Sequence, residues 1–282
     1  MEIPIVKAHG AANDFVLVED LGDELDVPVG LVARICDRRR GVGADGFIRI
    51  APGQDAGVFM DYRNADGSLA EICGNGIRCL AKYCFDRGIL VGTEADIDTR
   101  AGVKHVVVHP DAAGKVAQVE VDMGPPQLDA ADIPVKTDGS PLEMTLAIDG
   151  VEYDICAAGM GNPHAVVFVD DVSVAPVTTL GPRIETDPAF PEGTNVEFVH
   201  VADAGRIEMR VWERGSGETL ACGSGACAAA AVSNLTGRAG GELDVVLRGG
   251  TLHITVGDTV VMRGPAVEVF ETILDTARLA RL

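Results

Sequence analysis

Residues 70–78 read AEICGNGIR and residues 219–227 read TLACGSGAC, two cysteine–glycine turns that each lead into an apolar run. Cys73 lies 149 positions before Cys222. The same offset carries Asn13 of HGAANDFVLVED onto Asn162 of GMGNPHAVVFVDD, and GADGFIRI around Gly46 onto GTNVEFVH around Asn195. Three segments sharing one offset without a gap point to two homologous halves. Each half is expected to supply an Asn-containing loop, a strand and a Cys-Gly-x-Gly turn.

Working outward from the turns, short apolar stretches at 15–18, 47–50, 116–121, 166–169 and 196–199 predict strands. The two clearest helices follow the cysteines. From Gly76 on, Ile77, Leu80, Ala81 and Cys84 recur at helical spacing, and 226–232 is Ala-rich and apolar all round, as in a helix enclosed by other structure. The fold class is therefore α+β: two pseudo-symmetric domains, each a mixed sheet rolled around a central helix. The seam is expected in the loop-rich region after Val108, where Asp111, Gly114, Gly124, Pro125 and Pro126 punctuate the chain, with domains at 1–118 and 119–267.

Composition sets outer limits. The 282 residues are 47% hydrophobic and 23% charged, which fits a chain with a buried core and excludes disordered and fibrous classes. Forty-three acidic against 23 basic residues give a formal charge of −20, which phosphate backbones and anionic lipid would repel, so neither nucleic acid nor membrane is expected as a partner. The start, MEIPIVKAHG, lacks the apolar run of a secretory signal, and the apolar stretch 220–232 is too short to span a bilayer. The expected location is cytoplasmic. Seven cysteines without a C-x-x-C pair read as reduced thiols, with no metal site expected.

A cysteine at the first residue of a glycine turn entering a helix sits where unpaired amides and the helix dipole favour negative charge. Cys73-Gly74-Asn75-Gly76 and Cys222-Gly223-Ser224-Gly225 each offer a thiolate-favouring position beside a cradle for a carboxylate. Two such turns aimed at one carbon suit stereoinversion, one thiolate removing a proton from one face and the other thiol donating to the opposite face. The turns are nearly equivalent chemically, so neither thiol is assigned to a stereoisomer. Cys36, Cys79, Cys84, Cys156 and Cys227 read as small buried hydrophobes.

The segments HGAANDF, RRRGVGADG, RNADGSLAEICGNGIRC, GNPHAV, GTNVEF and ERGSGETLACGSGAC resemble, in order and spacing over nearly the whole chain, the diaminopimelate epimerase family. The resemblance implies cofactor-independent interconversion of LL- and meso-diaminopimelate in bacterial lysine and cell-wall synthesis. It also implies a site in the cleft between the domains, a first domain completed by 268–282, and a homodimer. By motif, Cys73 and Cys222 are implied as the acid/base pair, and Gly74, Asn75, Gly223 and Ser224 as amide ligands of the reacting carboxylate. Asn13, Asn64, Asn162, Asn195 and Arg214 are implied to hold the rest of the substrate, with Glu213 and His164 near the reacting centre and Glu213 also placed to face a substrate ammonium. Arg214 suits a distal carboxylate as a bidentate partner. Some members carry Gln where this chain has Gly46, so that side chain's contact is absent.

Competing readings are weaker. GVGADG at 41–46 matches a dinucleotide fingerprint but is preceded by DRRR and followed by strand-like FIRI, the reverse of the required context. Pyridoxal phosphate needs a Schiff-base lysine, and Lys7, Lys82, Lys104, Lys115 and Lys136 lack a phosphate-cradling setting. Asn234-Leu235-Thr236 is a sequon only in a secreted chain, and Arg38–Arg40 reads as a solvated basic patch. A proline racemase-like enzyme shares the two-cysteine logic, but a small ring has no distal group for Arg214 and the Asn side chains. A Cys73–Cys222 redox switch and a non-catalytic binding module complete the alternatives, the latter needing no matched thiols.

Overall fold

The computed structural model describes residues Glu2–Leu279. Its contacts divide into two compact units, Met1–Val121 with Gly264–Leu282, and Asp122–Arg263. The seam lies within the loop-rich region after Val108, between Val121 and Asp122, three residues past the expected 118/119 boundary. Residues 111–115 form the tight connection of an antiparallel hairpin inside the first unit, and the chain leaves that unit only after Val121.

The first unit runs β1 (Glu2–Gly10), β2 (Asn13–Glu19), α1 (Val29–Cys36), β3 (Gly46–Pro52), β4 (Val58–Asn64), α2 (Gly74–Asp86), β5 (Glu94–Thr99), β6 (Gly102–Pro110) and β7 (Val116–Asp122). The second runs β8 (Met144–Ile148), β9 (Val151–Gly159), β10 (Pro163–Phe168), α3 (Val177–Glu185), β11 (Asn195–Asp203), β12 (Arg206–Glu213), β13 (Gly217–Thr219), α4 (Gly223–Leu235), β14 (Glu242–Leu247), β15 (Gly250–Val256) and β16 (Val260–Pro265). A last strand, β17 (Val267–Asp275), pairs antiparallel with β1.

The duplication extends to strand pairing. In each unit the first long strand pairs antiparallel with the second (β1·β2, β9·β10), the second runs parallel to the third (β2·β3, β10·β11), and the third turns back antiparallel on the fourth (β3·β4, β11·β12). The sheets are mixed because each parallel pair is bridged by a crossover helix, α1 or α3.

Two-sided burial explains the near-continuous apolar runs of β2 and β10. Side chains alternate across a strand, so Val16 and Val18 join Val32, Ile35 and Phe47 in the core beneath α1 while Phe15 and Leu17 point to the other face. In the second unit Ala165, Val167, Val196 and Phe198 pack with Val177, Leu180 and Ile184 of α3. The opposite faces wrap the central helices. Helix α2 contacts β1, β2, β3, β4, β6 and β17, and α4 contacts β9, β10, β11, β12, β14 and β15. An enclosed helix favours small apolar side chains, and α4 supplies them with Ala226, Cys227, Ala228–Ala231 and Val232, all fully buried. Small side chains let six strands close on it, and each fully buried Val or Ile of the surrounding strands contributes about 1.5–3 kcal/mol.

Candidate active site

Both helices start one residue after a cysteine. Cys73 caps α2 with φ −134° and ψ 114°, and Cys222 caps α4 with φ −123° and ψ 117°, the extended backbone expected of an N-cap. The first-turn amides of Gly74, Asn75, Gly223 and Ser224 lie where a helix has no internal acceptors for its N–H groups. The third residue of each helix is glycine, and a side chain there would press on neighbouring side chains. A β-carbon on Gly76 would lie 2.9 Å from Met60 Cε and 3.0 Å from Ile48 Cδ1, and one on Gly225 would lie 2.6 Å from Glu197 Oε1.

In the first unit the structure brings Asn13, Cys73, Gly74 and Asn75 together. The half-buried Cys73 donates its S–H to Asn13 Oδ1 at 3.7 Å, and Asn75 Nδ2 donates to the same oxygen at 3.1 Å. Asn13 Nδ2 donates to Asp45 Oδ2 at 2.9 Å. On the far side Arg78, fully buried, donates from Nη2 to Asn75 Oδ1 at 2.9 Å and from Nη1 to Gly74 O at 3.1 Å. Both amides are thereby fixed in orientation. Asn64 sits at the exposed end of β4, opposite Gly46, and its Nδ2 donates to Ser68 Oγ at 3.0 Å.

Arg38, exposed together with Arg39 and Arg40, also braces this scaffold from the solvent side. Its guanidinium donates at 2.6 Å to both Asp14 and Asp45, and Lys7 pairs with Asp14 at 2.7 Å. Burial works to raise the Asp14 carboxyl, but the Arg38 and Lys7 hydrogen bonds and the Lys7 charge outweigh it and hold Asp14 well below the usual carboxylate range. Asp45, which orients Asn13, is anchored by this cluster.

The second unit gathers Cys222, Ser224, Asn162, His164, Asn195, Glu213 and Arg214 around the start of α4 and the ends of β10, β11 and β12. Cys222 Sγ accepts the Gly225 N–H at 3.4 Å and lies 3.6 Å from Ser224 Oγ. His164 is fully buried, with Nδ1 2.7 Å from Glu197 Oε1 and Nε2 2.9 Å from Asn162 Oδ1. Glu213 accepts a short hydrogen bond from the Thr219 hydroxyl. Asn195 is buried, donating to Pro163 O at 2.9 Å and accepting the Arg214 N–H at 3.0 Å. It fixes the backbone from which the exposed Arg214 projects, and Arg214 Nη1 donates to Glu192 O at 3.0 Å.

The expectation of an easily formed thiolate is corrected at Cys222. Burial pushes this thiol well above its ordinary value, and the charges of Glu213 and Glu197 push it further. The Ser224 hydroxyl and the Gly225 N–H offset only part of this. Helix-terminal amides do favour a thiolate, but here an enclosed site with two neighbouring carboxylates wins.

The sequence reading passed over Glu197 and Asp45. The signal for Glu197 was an acid inside the apolar run NVEFV, where Val196 and Phe198 face α3 and the alternate residues Asn195 and Glu197 face the other way, toward α4.

The family model described as diaminopimelate epimerase matches residues 5–129 and 156–269. The diaminopimelate epimerase of Moorella thermoacetica is 47% identical over 273 residues, covering 94% of this chain and 96% of the relative. That of Pelotomaculum thermopropionicum is 47% identical over 270 residues, covering 94% and 96%. Among solved structures, a probable proline racemase from Agrobacterium radiobacter K84 superposes with a TM-score of 0.74 at 14% identity, over 97% of this chain and 93% of the other, a likeness of fold.

Proposed function

This chain belongs to the diaminopimelate epimerase family, and from that premise we propose that it interconverts LL- and meso-diaminopimelate by proton transfer between two cysteines, without a cofactor. The observation that carries the reading is the matched placement of Cys73 and Cys222 at the N-caps of two equivalent helices, each beside first-turn amides.

One thiolate takes the Cα proton, forming S–H while the C–H electron pair moves into the adjacent carboxylate. The other thiol gives its proton to the opposite face, and the pair is left with its protonation states exchanged. No electron is gained or lost. The amides of Gly74, Asn75, Gly223 and Ser224 stabilise the enediolate-like charge as it develops. Asn13 and Asn162 orient the reacting amino acid, Asn64 and Asn195 help shape the distal end, Glu213 faces a substrate ammonium, His164 stands by the reacting centre, and Arg214 pairs with the distal carboxylate. Domains of residues 1–118 with 268–282 and of 119–267 belong to the same reading, each bound within four residues of those of the compact units.

In this reading the protein works in the cytoplasm, in lysine and peptidoglycan precursor synthesis. Among the described residues no helix is long and apolar enough to cross a membrane. It acts as a homodimer, supported by the apolar residues Val267, Val269, Phe270 and Ile273 that β17 leaves exposed. Sedimentation at two concentrations, with Phe270→Glu as the control, tests that part.

The reaction is tested by proton NMR of LL-diaminopimelate with reduced protein in D2O, with proline in a parallel tube. Loss of the Cα proton signal with formation of the meso isomer is expected. Exchange in the proline tube alone would transfer the protein to the racemase branch, and silence in both would reject epimerisation. A Cys→Ser change at either site should retain ligand binding and lose turnover, whereas a binding module would have no turnover to lose.

A further inference from the structure

The two cysteine turns are alike in backbone and unlike in what stands behind them. At the shared offset, His164, Glu197 and Glu213 of the second half correspond to Phe15, Ile48 and Asn64 of the first. Where the first unit places an apolar ring and an apolar branch, the second encloses an imidazole and a carboxylate. Glu197 is fully buried, and its Oε2 has no hydrogen-bond partner among the described residues. An interior carboxylate with an orphan oxygen is costly, and a well-packed apolar residue at such a site is generally at least as stable. Ile48 demonstrates that this fold accepts one at the equivalent position, so packing does not account for Glu197.

Its contacts point to the cysteine. Oε1 lies 2.7 Å from His164 Nδ1, and it also stands 2.6 Å from where a β-carbon on Gly225 would be, directly against the first turn of α4. His164 reaches on through Nε2 to Asn162 Oδ1 at 2.9 Å. A carboxylate accepting from Nδ1–H fixes the plane of a histidine ring.

We propose that Glu197 is a positioning residue that holds Cys222 in the thiol form and locks His164 in one orientation, making two otherwise equivalent cysteines chemically unequal in the substrate-free protein. Among the strands packed on α4, the titratable groups facing this turn are Glu197 of β11, Glu213 at the end of β12 and, through Glu197, His164 of β10. Both carboxylates disfavour a thiolate at Cys222, in accord with the upward shift of that thiol. Cys222 is then the proton donor and Cys73 the acceptor for the first turnover. This assignment rests on the two-cysteine reading, but the shielding of Cys222 does not.

The test is Glu197→Gln, which keeps an oxygen acceptor for His164 and removes the charge. The rate of iodoacetamide alkylation at Cys222 and at Cys73 is followed against pH by mass spectrometry of the two peptides. The expected result is a Cys222 profile displaced to lower pH, with alkylation at a fixed pH below the midpoint about tenfold faster per unit of displacement, and an unmoved Cys73 profile. In kcat/KM the basic limb should move the same way. An unmoved Cys222 profile, or equal movement at both cysteines, overturns the proposal. If Glu197→Gln does not fold, Glu197→Asp, which draws the carboxylate back from the turn by one methylene, takes its place, and an unmoved Cys222 profile there overturns the proposal. A wild-type Cys222 midpoint at or below the ordinary thiol value of about 8.5 also overturns it. Because alkylation needs no substrate, a displaced profile with no exchange of diaminopimelate would reject the function and leave the role of Glu197 standing.

Discussion

The ring of Tyr62 fills the space that a side chain at position 46 would need. A β-carbon on Gly46 would lie 2.6 Å from Tyr62 Cε2 and 3.1 Å from its hydroxyl. The residues are diagonal neighbours on the antiparallel pair β3·β4, where Gly46 stands opposite Asn64 and Ile48 opposite Tyr62. Tyr62 is buried and meets Phe15 edge-on at 6.1 Å, so it has little room to turn aside.

Gly46→Gln is therefore expected to destabilise the protein by about 1–3 kcal/mol through overpacking. Thermal melting should show the loss, and Tyr62→Ser in the same chain should recover part of it. Wild-type melting of the single variant would mean the ring yields freely.

Asp61 is the hub of the strongest charge cluster in the first unit. Its side chain is 3% exposed and receives Arg49 Nε at 3.1 Å, Arg63 Nη2 at 3.3 Å and a short bond from Arg100. Burial acts to raise its carboxyl, but Arg100 and Arg63 outweigh it and hold the group below the usual range. A carboxyl lower in the folded than in the unfolded chain adds stability that is complete above the unfolded value of about 3.9 and is lost as pH falls through the folded one. Asp61→Asn removes the charge that Arg63 and Arg100 share, while Arg49 keeps Asp20 and Asp23, and should cost about 1.5–3 kcal/mol near pH 7, with a smaller penalty near pH 3. Urea unfolding at both pH values checks this, and equal penalties would refute it.

The remaining thiols should be chemically quiet. Burial pushes Cys36 to about 11 and Cys79 and Cys84 to about 12. In folded protein near pH 7.5, iodoacetamide should label the half-buried Cys73 before any of the three, by about a hundredfold or more in rate, since only thiolate reacts. Labelling of Cys79 at the rate of Cys73 would show that α2 opens far more readily than its packing implies.

The duplication, the two helices and the cysteine turns were legible because they are written locally, as one offset and a change from alternating to helical apolar spacing. What lay beyond the sequence depended on partners far apart in the chain. The patch at Arg38–Arg40 is exposed as read, but the pairing of Arg38 was hidden because its carboxylates, Asp14 and Asp45, reach it only through the β2·β3 crossover. The helix-start logic at Cys222 was sound in kind, but its sign turned on burial and on Glu197, 25 positions away. The exit from the first unit falls three residues beyond the expected boundary because the aspartate and glycine at 111–115 punctuate a hairpin inside that unit as readily as Gly124, Pro125 and Pro126 punctuate its end.

Arg214 offers the sharpest check on substrate recognition. It is exposed, its backbone N–H is held by Asn195 Oδ1 at 3.0 Å, and its Nη1 is steadied by Glu192 O at 3.0 Å, so the guanidinium is aimed while other donors stay available. Lysine keeps the charge and loses the planar fork. If Arg214 grips the distal carboxylate with two parallel bonds, Arg214→Lys removes an interaction worth about 1.5–3 kcal/mol, a loss of about tenfold to a hundredfold in kcat/KM. The loss should fall on KM, because the distal group is bound alike in ground and transition states. Slow exchange of the Cα proton of lysine, which lacks that carboxylate, should not change. An equal loss on both substrates would place Arg214 in the support of the turn instead of on the substrate.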